Sequence, residues 1–152
     1  MKARVLLIAD DTTPDMAALL TRQPDFEVVG IWGDWWRGLV TLGETEVDLS
    51  VIDISRPGLD PELVIRRFKQ RNPFLKIIAL VDDRDHAGLR LAESAVVTDH
   101  VTRSKISTEL VGTLRRALGG LSLSRRRWAG RVSGAYGTAE LLTTSGGADL
   151  LA

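Results

Sequence analysis

Apolar positions along the chain fall into two alternating patterns. Short runs rich in β-branched residues occur at Arg4–Asp10 (RVLLIAD), Phe26–Trp32 (FEVVGIW), within Asp48–Asp60 (DLSVIDISRPGLD), at Leu75–Val81 (LKIIALV) and at Ala95–Val101 (AVVTDHV). Each has the length and composition of a buried strand. Between them the apolar residues take helical spacing: Met16, Ala17, Leu19 and Leu20; then Trp35, Leu39 and Leu42; then Leu63, Val64, Ile65 and Phe68; and finally Ile106, Leu110, Val111, Leu114 and Leu118. Start signals precede the helices. Thr13-Pro14-Asp15 and Asp60-Pro61-Glu62 read as cap followed by proline, and Asp34 as the cap of a helix running to about Leu42. Asn72-Pro73 and Gly119-Gly120 read as stops. Five strands alternating with five helices predict a doubly wound α/β domain with a parallel sheet and right-handed crossovers.

Two stretches fit less cleanly. Residues 82–93 hold several acids, Gly88 and only Ala87, Leu89, Leu91 and Ala92 as apolar positions, so their helix is expected to be the least stable. Trp36 and Val40 share a face next to that of Trp35, Leu39 and Leu42, so at most one of the two tryptophans points fully inward. After Gly120 the composition turns to Gly, Ser and Thr, with Trp128, Val132 and Tyr136 at four-residue spacing. The chain thus divides into a domain at 1–120 and a tail or linker at 121–152 with room for one short helix. That tail is expected to pack weakly unless those aromatics find a groove or a partner subunit.

Charge and composition exclude more than they assign. Twenty basic and twenty acidic residues balance, so no global field argues for nucleic acid or for an acidic partner. Residues 119–152 do carry Arg125, Arg126, Arg127 and Arg131 against Glu140 and Asp149 alone, but one short basic cluster without a DNA-binding fold reads as solvated linker. Without cysteine there are no disulfides, thiolate metal sites or cysteine nucleophiles. Two histidines, His86 and His100, lack paired ligand spacing. The start MKARVLLIADD is too short and too soon acidic for a signal peptide, and no apolar run reaches membrane-spanning length, so a soluble cytoplasmic protein is expected.

The candidate chemistry lies at strand ends. Asp53 sits in the apolar run of the third strand, where an ionised carboxylate is costly unless cations or donors meet it. It therefore belongs at the carboxyl edge, where open α/β sheets bind ligands, or is simply a strand-terminating Asp before the Pro57-Gly58 turn. Asp10 and Asp11 end the first strand and repel each other unless something positive sits between them. Since Thr13 offers the helix cap, the pair has no purely structural job.

Asp10-Asp11 after the first strand, Asp53 with Pro57-Gly58 after the third and a basic residue, Arg103, after the fifth resemble the response-regulator receiver domain of two-component signalling over residues 3–118. The style is similar to receivers that precede helix-turn-helix output domains. The resemblance implies a flavodoxin-like (βα)5 sheet of strand order 2-1-3-4-5. It makes Asp53 a phosphoacceptor, and makes Asp10, Asp11, Asp53 and the backbone carbonyl of Ser55 the ligands of a magnesium ion. Magnesium, a hard ion, suits carboxylates beside a phosphate, and an acidic site attacks an anionic donor only once charge is cancelled. Mutual repulsion of the three acids is expected to raise at least one pKa and to let divalent cations stabilise the fold.

The sequence departs from the family at the positions that sense the phosphoryl group. Val81 stands where a Thr or Ser hydroxyl is usual, Arg103 where Lys is usual, and His100 where an aromatic switch residue is usual. Arg keeps the charge but is a planar fork instead of a compact point charge. The leading expectation is a non-enzymatic phosphorelay receiver, taking its phosphoryl group from a histidine kinase or phosphotransfer protein. It would act on a downstream protein or by self-association through its fourth-to-fifth-helix face or its tail. The alternative is a phosphorylation-independent pseudo-receiver. A magnesium-dependent phosphatase would need an acid at position 55, which is Ser, and a flavodoxin-like cofactor binder would set its phosphate against Asp10 and Asp11.

Overall fold

The computed structural model describes residues 2–10 and 13–119. Elements run β1 (Ala3–Ile8), α1 (Thr13–Thr21), β2 (Phe26–Trp32), α2 (Trp35–Glu44), β3 (Leu49–Asp53), α3 (Pro61–Arg71), β4 (Lys76–Val81), α4 (His86–Ala92), β5 (Asp99–Thr102), a 3-10 turn (Arg103–Lys105) and α5 (Ile106–Ala117). All four strand pairings are parallel, in the order β2-β1-β3-β4-β5. This is the doubly wound, flavodoxin-like arrangement expected from the alternation.

Alternate strand residues serve opposite faces of the sheet. Leu6, Ile8, Ile52, Ile77, Ala79 and Val81 pack with Leu39, Leu42, Val64, Ile65 and Phe68 from α2 and α3. Val5, Leu7, Val51, Ile78, Leu80 and Val101 pack with Met16 and Leu20 of α1 and with Ile106, Leu110 and Leu114 of α5. The central strand β3 is buried along its whole length, so its direction is fixed by packing on both faces. That rigidity holds its last residue, Asp53, in place.

Helix α2 lies close against β1 because Gly38 has no side chain. A Cβ there would come within 2.6 Å of Ile8 Cδ1 and 2.9 Å of Phe68 Cζ. Gly38→Ala should gain about 1 kcal/mol of helix propensity and lose roughly 1–3 kcal/mol to overpacking. We expect a net destabilisation near 1 kcal/mol, read from urea unfolding midpoints; an unchanged or higher midpoint would mean that α2 slides freely on the sheet.

Several expectations hold and several need correction. Asp60 caps α3 by accepting from the Leu63 N–H at 3.2 Å, with Pro61 in the first turn. Asp34 occupies the N-cap position of α2, which extends to Glu44, but its side chain makes no cap hydrogen bond. Leu39 and Leu42 are buried and Trp35 is partly so, whereas Trp36 is 49% exposed, as the two helical faces required. Thr13 is the first residue of α1, not its cap. The fourth helix is confined to His86–Ala92, and the fifth strand begins at Asp99, not Ala95. The reason is length. Seven helical residues climb about 10 Å, whereas the six residues of β4 span roughly 20 Å. Residues 93–98 therefore complete the return before pairing starts, and Val96 is left exposed. The tail at 121–152, with Arg125–Arg127, Trp128, Val132 and Tyr136, lies outside the described residues, as does Asp11.

Candidate functional site

Asp53 ends β3 with only 1% of its surface exposed. Its Oδ1 accepts from the Ser55 N–H at 3.1 Å, a tight turn imposed where the chain leaves the strand. Its Oδ2 accepts from Arg103 Nη2 at 2.6 Å. Arg103 opens the 3-10 turn after β5, so strands β3 and β5 each deliver one partner across the end of β4. The same guanidinium reaches Asp82, just past β4, with Nη1 3.5 Å from Oδ2. Burial pushes the Asp53 carboxyl above its ordinary value, although the Ser55 N–H and the Arg103 charge and hydrogen bond pull the other way; repulsion from Asp10 adds the smallest upward contribution. Desolvation, and not the clustering of acids that was expected to act, is the main cause of this rise.

Asp10, after β1, is exposed at the rim and lies 3.4 Å from Arg56 Nε. Arg56 follows Ser55, and its Nη1 also donates to the backbone carbonyl of Gly33, after β2. Gly58 takes a φ of +79° in the turn that follows, a conformation open to glycine, and lets the chain swing back into α3. Ser55 does more than precede that turn. Its hydroxyl donates to Asp85 Oδ2 at 2.8 Å and accepts from the Asp82 N–H at 2.8 Å. Asp85 in turn caps α4 by accepting from the Gly88 N–H, and these two donors hold its carboxyl below the usual range. In the same loop Asp83 accepts from the hydroxyl and N–H of Ser104, which holds its carboxyl low as well.

Of the residues singled out from the sequence, Asp53 and Arg103 touch, and Asp10 lies near enough to Asp53 for its charge to register. Val81 is fully buried opposite Thr102 of β5. His100 is half-buried and pairs with Ala79 in the sheet, with Nδ1 4.0 Å from Asp99; among the described residues it makes no hydrogen bond or ion pair with Asp53. His86 is exposed, as its polar surroundings suggested. Arg56, Asp82 and Asp85 were not foreseen. Arg56 stands three residues past the central acid, but sequence spacing does not reveal which carboxylate a long side chain will meet.

The donor set of Asp10, Asp53 and backbone carbonyls is all oxygen, as a hard cation requires. Each of those two carboxylates nevertheless already meets a guanidinium. Among the described residues no group of three or more acidic or histidine side chains is arranged to hold a metal ion.

No protein-family model matches the chain. No curated protein matches it either. Solved structures do. A two-component response regulator of the LuxR family from Aurantimonas sp. SI85-9A1 is similar at 25% identity and a TM-score of 0.70, covering 79% of this chain and 87% of that one. The isolated REC domain of RcsB from Salmonella enterica serovar Typhimurium, solved with the phosphomimetic BeF3−, is similar at 21% identity and a TM-score of 0.70, covering 79% and 91%. A CheY-like receiver domain protein from Methanospirillum hungatei JF-1 is 15% identical with a TM-score of 0.68, covering 84% and 99%.

The chain has the fold of a response-regulator receiver domain. In this receiver fold the acid of β3, the acid after β1 and the cation after β5 meet at one sheet edge. At that edge β4 ends in the apolar, fully buried Val81. No helix among the described residues is long and apolar enough to cross a membrane.

Proposed function

We propose that the protein is a two-component receiver that accepts a phosphoryl group on Asp53 with magnesium and acts through protein contacts, its switching weakened by Val81 and Arg103. The observation that carries this reading is the position of Asp53: a carboxylate at the end of a rigid central strand, with a cation 2.6 Å away. Asp10, Asp11, Asp53 and the carbonyl of Ser55 would hold the magnesium ion, which cancels charge between acceptor and donor when bound. This chain's own residues supply the rest. The Ser55 N–H orients the Asp53 carboxylate through Oδ1, and Arg103, once it lets go of Oδ2, is placed to bind phosphoryl oxygens. The likeness to a receiver solved with a phosphomimetic supports the reading.

A second reading has its own support. Asp53 is buried and its second oxygen is taken by Arg103, so both carboxylate oxygens have a donor without phosphate. On that reading the domain is a phosphorylation-independent adaptor. In either case its output is a protein contact, with a histidine kinase or phosphotransfer protein upstream in the first and a downstream protein or second copy in both.

Incubating the full chain with acetyl phosphate and magnesium, and reading intact mass, separates the two. The first reading expects a gain of one phosphoryl group that disappears in Asp53→Asn and on chelation of the metal. An unchanged parent mass, with a positive-control receiver modified in parallel, leaves the adaptor.

A further inference from the structure

We propose that Arg56 and Arg103 form a double arginine clamp that takes over the charge role of the divalent ion at rest, so that magnesium enters only when Arg56 withdraws from Asp10. The proposal rests on the reading of this edge as a metal-assisted acceptor site.

Each arginine is anchored at more than one point. Arg56 leaves the chain just after β3, pairs with Asp10 at the end of β1 through Nε, and donates through Nη1 to the Gly33 carbonyl after β2. Only 19% of its side chain is exposed. Arg103 comes from the other side of the sheet, binding Asp53 through Nη2 and reaching Asp82 through Nη1. Two guanidiniums on two carboxylates bring the same charge as one divalent ion. They do so without stripping water from it, a step magnesium resists.

Arg56 is the movable half. Asp10 is 49% exposed in its side chain, so giving up Arg56 there costs less than giving up Arg103 at Asp53, which leaves a carboxylate buried. An incoming ion must therefore compete with a tethered cation at the rim. Its apparent affinity falls by the fraction of molecules in which Arg56 is already away.

Magnesium titration of the full-length chain by calorimetry tests the clamp, with manganese titration followed by electron paramagnetic resonance as a second readout. Parent, Arg56→Gln, Arg56→Lys and Arg115→Gln are compared. Arg115 pairs with Asp25, in the loop before β2, and controls for overall charge. Arg56→Gln should bind magnesium about tenfold tighter or more than the parent, if the pocket is open about a tenth of the time or less, and Arg115→Gln should match the parent. Arg56→Lys keeps the charge without the fork and should fall between, which preserves the comparison if the Gln variant folds poorly. Equal affinities in parent and both Arg56 variants overturn the clamp, whether all bind or none does. The phosphodonor experiment is independent. A parent that binds magnesium as tightly as Arg56→Gln and still takes up phosphate sinks the clamp but keeps the acceptor reading, whereas tighter binding in Arg56→Gln without phosphate uptake in any variant keeps the clamp and sinks the acceptor.

Discussion

Arg103→Ala is expected to destabilise the protein by about 2–3 kcal/mol at neutral pH, and most of that loss should vanish in acid. Removing one partner of a fully buried ion pair typically costs roughly 3–5 kcal/mol, because the other charge is left without compensation. Here Asp53 is buried, but the Arg103 side chain is 31% exposed, so water partly screens the pair and brings the cost down to about 2–3 kcal/mol. The pH dependence follows from the same contact. Burial already holds the Asp53 carboxyl above its unfolded value, and Arg103 opposes that rise. Without Arg103 the folded pKa climbs further. A carboxyl whose folded pKa exceeds its unfolded one keeps its proton longer in the native state, so stability falls as pH rises from the unfolded value, about 4, through the folded one. The deficit of Arg103→Ala relative to the parent is thus full at neutral pH and shrinks as Asp53 becomes protonated. Asp25, Asp83 and Asp85, whose folded values are lowered, push the other way in both proteins and largely cancel in the difference. Asp53→Asn removes the stranded charge, so the double variant should regain much of the loss at pH 7. Urea unfolding of the four proteins of this cycle from pH 4 to pH 8 reads the result. A deficit independent of pH, or a double variant no better than Arg103→Ala, would mean that Arg103 contributes packing and little charge.

How much of this was legible in the chain depends on whether a feature is local. The runs at Val5–Ile8, Val51–Ile52 and Ile77–Val81 are apolar on both sheet faces, which only a strand covered by helices on each side explains, and the structure buries them so. The Asp60-Pro61 start of α3 is written in four residues and appears as written. Ala95–Val97 misled because β-branched composition reports a preference for extended chain, not the point where pairing begins. That point was set by the mismatch between a short α4 and a longer β4. At the site, Asp53 was legible because a carboxylate in an apolar strand is anomalous on its face. Arg56 was not, since its role needs Asp10 and Gly33 brought from the ends of two other strands. Ser55 was read for its carbonyl alone. Its hydroxyl, bridging Asp85 and the Asp82 N–H, ties the turn after Asp53 to the cap of α4 and gives the site a mechanical connection to that helix.

That connection sharpens the expectation for switching. A phosphoryl group at Asp53 shifts the domain's conformation only through contacts that differ between the two states. At the end of β4 the buried Val81 offers no donor, and a hydrogen bond to a charged group contributes roughly 1.5–3 kcal/mol. Its absence amounts to about a factor of ten or more in the ratio of switched to resting molecules. Arg103 would deepen the deficit, because it already grips Asp53 and reaches Asp82, so a phosphoryl group placed on Asp53 would have to win it from a contact that is already good. Val81→Thr supplies the missing donor, and Arg103→Lys replaces a two-pronged hold by a single point charge. The double variant should therefore respond about tenfold more strongly to beryllofluoride than the parent, the gain expected from restoring one charged hydrogen bond. Amide exchange of α4, whose cap is tied to Ser55, and of β5, which carries Thr102 beside Val81, measures the response with and without the mimic. An equally large change in the parent would point to a substitute donor. The structure contains one candidate, the Thr102 hydroxyl, which is buried without a partner among the described residues and sits on the strand next to Val81. Thr102→Val would then abolish the parent's response and leave that of the double variant in place.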